Sequence, residues 1–162
     1  MIVATDVHYQ NRAGNAAALV FDTWDASTAV AKYVEATRPV LDYQPGLFFE
    51  RELPCLLNVL AVVAEPYDTV IVDGHVWLAD QPGMGHHLYE ALNRQVAVVG
   101  VAKRPFHEGR ATEVLRGNSQ TPLYVTAIGV DLELAVERVR TMHGPFRLPT
   151  LLKQVDTLCR GG

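Results

Sequence analysis

A chain of 162 residues, 49% hydrophobic and 20% charged, has enough apolar surface to bury a core, which excludes a disordered tract. Its 12 Gly and 9 Pro show no period, which excludes collagen-like and low-complexity chains. The formal net charge of −4 does not advertise a polyanion binder, but it is uneven: residues 1–102 carry 5 Lys+Arg against 12 Asp+Glu, and residues 103–162 carry 9 against 6.

No apolar run approaches the roughly 18 residues needed to span a bilayer. The longest candidates are Leu56 to Ala64 and Val96 to Ala102. The first residues lack the basic and apolar regions of a secretory signal. Cys55 and Cys159 are too few for a disulfide framework. The expectation is one domain over residues 1–162, in a reducing cytoplasm and away from membranes.

In chain order, Ile2 to Val7 is apolar and β-branched, a first strand. Asn11 to Asn15 is a turn signal. Ala16 to Phe21 and Thr28 to Val34 read as two more strands of an antiparallel meander. Asp42-Tyr-Gln-Pro-Gly46 is a rigid loop, and Pro54 fits the first turn of a helix. Leu56, Leu57, Leu60 and Ala64 follow at helical spacing until Pro66. Thr69 to Val72 is a short continuous apolar run, as expected of a strand buried on both faces. Gln81 to Gly85 forms a loop before a helix from His86 to Asn93. Val96 to Val101 is another buried strand, and residues 104–120 read as polar and irregular. Pro122 to Thr126 is a last strand. Asp131 caps a helix to about Met142, Gly144 ends it, and a short helix fits Leu151 to Leu158. This order predicts an α/β fold with one central mixed sheet, three antiparallel strands followed by parallel ones, flanked by helices.

Two acids, Asp6 and Asp73, sit at strand ends. A carboxylate at the mouth of a sheet core is costly unless it is paired or binds a cation, and oxygen ligands suit Mg²⁺ or Mn²⁺. Turn capping is the plainer role for each. Glu50 and Glu52 lie near a helix start, where either complements the dipole, and this argument does not separate them. A phosphate loop with lysine, a dinucleotide fingerprint, a Cys-x-x-Cys pair and a serine elbow are all missing from the sequence.

Four segments in order carry a resemblance: Ala4-Thr-Asp6-Val-His-Tyr9, Tyr43-Gln-Pro-Gly46 followed by Phe49-Glu-Arg-Glu52, Val72-Asp73-Gly74-His75, and Gly100-Val-Ala-Lys103. A weaker one is Phe146-Arg-Leu-Pro149. Together they resemble endonuclease V, the metal-dependent nuclease that cuts near deoxyinosine in DNA or inosine in RNA. The resemblance implies a ribonuclease H-like fold. It implies that Asp6 and Asp73 bind Mg²⁺, with Mn²⁺ as a substitute, and selects Glu52 to complete the acidic set. It makes Lys103 a cation at the cleavage site and Tyr43, on the loop stiffened by Pro45, a wedge in the duplex. Gly46, Gly74 and Gly100 would let backbone close around an extruded purine, beside His75.

Two segments depart from that family. Where it has Gly-x-x-His-Pro-Arg after the Asp-Gly-His motif, this chain reads Val76-Trp-Leu-Ala-Asp80-Gln-Pro82. Where it has Gly-His-Arg before the later helix, the chain reads Ile128-Gly-Val-Asp131, and Asp131 is the candidate to stand near the metal in place of that His. The functional expectation is a Mg²⁺-dependent endonuclease acting on DNA or RNA near a deaminated purine, in repair or turnover. The alternatives are an inactive nucleic-acid binding module and a hydrolase of small nucleotides.

Overall fold

The computed structural model describes residues 1–38, 48–106 and 110–162. Among them, seven strands form one mixed sheet in the order β3-β2-β1-β4-β7-β9-β8. β1 (Ile2–Gln10), β2 (Ala13–Phe21) and β3 (Ala31–Thr37) are the antiparallel meander. β4 (Thr69–Asp73) lies parallel to β1, and β7 (Ala97–Ala102) parallel to β4. The parallel run ends there. β9 (Leu123–Ile128) returns antiparallel to β7, and β8 (Thr112–Val114) pairs with β9 at the edge. A separate hairpin joins β5 (Trp77–Leu78) to β6 (Gln81–Pro82).

Among the described residues, four helices cover the sheet. α1 (Phe48–Val62) and α2 (Met84–Ala91) bury Leu56, Val59 and Leu88 against Val3, Val70 and Val98. α3 (Leu132–Arg140) and α4 (Thr150–Cys159) bury Val139, Leu151 and Val155 on the opposite face, against Leu19, Ile71 and Val99. Alternation within β2 divides Ala16, Ala18 and Val20 from Ala17, Leu19 and Phe21 between the two cores, so every residue of that run is buried.

Several boundaries differ from the sequence expectation. α1 begins at Phe48, so Pro54 lies inside it rather than in its first turn. The missing N–H at Pro54 deprives the Glu50 carbonyl of its helical donor, a loss offset by the apolar stripe the helix buries. β3 runs three residues later than expected, α2 begins two residues earlier, and β8 falls in the segment read as irregular. Tyr43, Pro45 and Gly46 lie outside the described residues.

Candidate metal centre

Register brings the two strand-end acids together. Ala4 of β1 is opposite Ile71 of β4, so two residues on, Asp6 and Asp73 stand level. Asp73 is opposite Val101 of β7, which sets Lys103 two residues further on the same face. The Lys103 ammonium is 3.8 Å from an Asp73 carboxylate oxygen. These side chains emerge at the carboxyl ends of the parallel strands, where ligands bind in open α/β sheets. Glu52 comes from the first turns of α1 in the other layer. Burial first, then the charges of Asp73 and Asp6, raises its carboxyl to about 8.

The structure adds an acid that the sequence reading missed. Asp156 of α4 is 9% exposed, and one of its carboxylate oxygens, one from Asp6 and the Cys159 sulfur lie within 4.8 Å of one another. Its signal in the sequence is a charge on an apolar helix face, four residues after Leu152 and three before Cys159.

Asp131 does not join this group. Ile128 of β9 is opposite Val98, which is opposite Val70 near the start of β4. The antiparallel return of β9 therefore delivers Asp131 to the edge of the sheet away from Asp73. There it is a helix N-cap, accepting from the Leu134 N–H at 3.2 Å. The expectation put Asp131 in the place of the family's His; the register instead sets it at the other end of the strands from Asp73. Asp131→Ala is expected to destabilise the fold by about 1 kcal/mol, the usual loss of a cap, in urea denaturation. Divalent-cation affinity measured on the same variant stays at the wild-type value.

Electrostatics set these acids apart from surface carboxylates. Asp6 is 8% exposed and Glu52 6%. Burial, then the negative charges of Asp73 and Asp156, pushes Asp6 to about 7, despite the Val7 N–H donating to it at 2.9 Å. Asp73 is raised by burial, with Lys103 pulling the other way. For Asp156 burial also opposes the charge, but hydrogen bonds from Arg160 and Asp6 and the attraction of Lys103 hold it below the ordinary range. Burial and the neighbouring charges favour the neutral form of Asp6 and the ionised form of Asp156.

Among the described residues, Glu52 Oε2 is buried without a hydrogen-bond partner. A buried acceptor left unmade costs about 1–3 kcal/mol. Three buried carboxylates, the exposed Asp73 beside them and an orphaned oxygen fit a hard divalent cation, which takes oxygen ligands and removes the charge penalty.

Glycines shape the neighbouring cleft. Gly74 turns the chain at φ +140°, and the Val76 N–H donates to Thr126 Oγ1 at 2.8 Å. Gly100 lies beneath that turn: a Cβ there would come within 2.6 Å of both the Gly74 carbonyl oxygen and Thr126 Oγ1. Gly100→Ala is expected to lower stability by about 2 kcal/mol, since backbone must shift to admit it, and thermal unfolding measures this. Above the turn, Gly74, His75, Arg104 and Phe106 line a cleft of about 570 Å³ that opens beside Asp73 and Lys103. That lies within the roughly 300–1,000 Å³ of small-ligand sites. His75 Nε2 donates to the Arg104 carbonyl at 3.0 Å, and its ring meets Phe106 edge-on at 6.3 Å.

The sequence model of the family described as Endonuclease V matches residues 1–129. The chain belongs to the endonuclease V family. A Thermus thermophilus endonuclease V is 30% identical over 176 residues, covering 94% of this chain and 77% of that relative. The solved Streptomyces avermitilis endonuclease V superposes with a TM-score of 0.80 at 24% identity, covering 99% of this chain and 79% of the other. Ciona intestinalis endonuclease V, solved with a 24mer DNA containing an inosine followed by a ribo-adenosine, gives 0.83 at 18% identity over 99% and 84%. These likenesses bear out the ribonuclease H-like fold that the motifs implied, and membership makes the chain a member of a nuclease family. Where endonuclease V usually carries His-Pro-Arg after the Asp-Gly-His motif, this member has the β5–β6 hairpin, with the Arg110 guanidinium 4.6 Å over the Trp77 ring.

Proposed function

We propose that this endonuclease V hydrolyses a phosphodiester bond in DNA or RNA, with a divalent cation, near a deaminated purine held in the cleft beside Asp73. The reading includes a role in nucleic-acid repair or turnover, in the cytoplasm, by one domain over residues 1–162. The observation that carries it is the gathering of acids beside that cleft: Asp6 with Asp156, Asp73 paired to Lys103 at 3.8 Å, and Glu52 within reach of the charges of Asp73 and Asp6.

Asp6, Glu52, Asp73 and Asp156 would hold Mg²⁺, or Mn²⁺ in its place. When bound, such an ion neutralises charge on the phosphate and lowers the pKa of a water at the scissile bond. The chain's residues do the rest. Lys103, already paired with Asp73, presents an ammonium to the phosphate oxygens. Phe106 and His75 offer ring faces and edges to an extruded base, whose flipping costs a few kcal/mol. Gly74 keeps a side chain out of that approach, and Gly100 lets the turn beneath the cleft pack closely on β7. Tyr43, Pro45 and Gly46, by the family resemblance, fill the gap the base leaves. The Ciona relative's inosine-containing DNA supports inosine as the base.

The test is cleavage of end-labelled single strands, DNA and RNA, with and without one inosine, in Mg²⁺ or in chelator and at two salt concentrations. The expected result is a cut at a fixed offset from inosine, lost in chelator and in Asp73→Asn, and weaker at high salt as phosphate contacts are screened. No cut on any strand by folded, cation-binding protein would overturn the reading in favour of a non-catalytic binding module.

A further inference from the structure

We propose that Cys159 turns the acidic centre into a site for borderline and soft divalent cations, Zn²⁺ and Cd²⁺, held by its sulfur with the Asp6 and Asp156 carboxylates in competition with Mg²⁺. The inference rests on the divalent-cation reading above and adds a sulfur ligand to it.

Geometry and burial support it. The ligand atoms of Asp6, Asp156 and Cys159 lie within 4.8 Å of one another, close enough for one ion to touch all three. The placement follows from the fold: Asp156 and Cys159 are three residues apart on one face of α4, which packs on the β1 face that carries Asp6. Cys159 is 1% exposed, so its sulfur points into the protein and not into solvent. A separate observation is a further oxygen donor, Glu52 Oε2. It is buried and unpartnered among the described residues, on a carboxyl that feels the Asp6 charge.

Donor chemistry separates the competing ions. Mg²⁺ demands oxygen ligands and keeps its waters, so it gains nothing from the sulfur. Zn²⁺ and Cd²⁺ bind thiolate strongly, and a mixed carboxylate–thiolate set suits them. On coordination the Cys159 S–H bond breaks, its proton goes to solvent and the sulfur lone pair forms the metal bond. No electron is transferred. The thiol now donates to the Asp156 carbonyl at 3.1 Å, so coordination exchanges that contact for the metal bond. Cys55 is an internal control: it is buried on α1, in the other layer, with its thiol toward the Arg51 carbonyl.

The test titrates the whole chain with Cd²⁺ and Co²⁺ and follows sulfur-to-metal charge-transfer absorbance, with Mn²⁺ affinity measured by calorimetry. Wild type and Cys55→Ser are expected to show the band. Cys159→Ser and Cys159→Ala lose it, and their Cd²⁺ affinity drops at least about tenfold while Mn²⁺ affinity changes far less. Circular dichroism confirms that each variant is folded. A band that survives in Cys159→Ser, or no band in wild type that still binds Mn²⁺, overturns the sulfur ligand and leaves the carboxylate centre standing. Failure to bind any divalent cation overturns both.

Discussion

Asp6→Asn is expected to lower cleavage by on the order of 10³-fold, the scale seen when one preorganised electrostatic group is removed from an active site. The same substitution is expected to stabilise the metal-free protein at pH 8. The Asp6 carboxyl is pushed to about 7 by burial and by Asp73 and Asp156. In the unfolded chain it ionises near 4. Between those values the folded state keeps a proton that the unfolded chain has released, so metal-free stability falls as pH rises through that window. Above pH 7 Asp6 is ionised in a buried, negative site. Asn removes that charge and restores on the order of 3 kcal/mol. Urea denaturation in chelator from pH 4 to pH 8 measures it, and the gain of the variant over wild type widens with pH. Adding Mn²⁺ at pH 8 reverses the order, because the cation stabilises wild type and has lost a ligand in the variant.

Arg116→Met is expected to destabilise the fold by about 3–5 kcal/mol, the scale for leaving the partners of a buried charged group unpaired. Arg116 is 5% exposed, and its guanidinium donates to the carbonyls of Arg140, Met142, Gly144, Phe146 and Arg147. All five belong to the end of α3 or to the connection toward α4. One planar fork satisfies backbone that no strand or helix pairs. The connection reaches the acidic centre by two routes. It leads into α4, which carries Asp156, and it carries Arg147, whose guanidinium donates to the Lys103 and Pro122 carbonyls. Arg116→Met therefore loses cleavage beyond what its population of unfolded protein explains. Arg116→Lys rescues little, since an ammonium has three donors where five carbonyls wait. Urea denaturation midpoints and specific activity at low temperature, where each variant is folded, measure the two effects.

The strands of the buried sheet were legible because continuous β-branched runs such as Thr69 to Val72 have few other uses. Asp6, Glu52, Asp73 and Lys103 were legible through the motifs that contain them, and strand register explains why the two aspartates meet. Asp156 was not legible, because no motif marks it. Finding it requires noticing one charge on the apolar stripe of a helix whose partner strand is unknown from sequence. Asp131 was expected near Asp73 because it stands where the family has a His; a segment of sequence does not show which way its strand runs, since direction is a property of pairing. Arg116 lay within residues 104–120, where the sequence showed no periodicity to mark a buried position. Its partners are carbonyls, which leave no trace in side-chain pattern.

The direct measurement is cleavage of an end-labelled, inosine-containing strand in Mg²⁺ by wild type, Asp156→Asn and Asp131→Asn side by side, with a chelator control. The account predicts that wild type and Asp131→Asn cut at the same place and rate, while Asp156→Asn and the chelator reaction do not. Cutting by Asp156→Asn at the wild-type rate, or loss of cutting in folded Asp131→Asn, would contradict it.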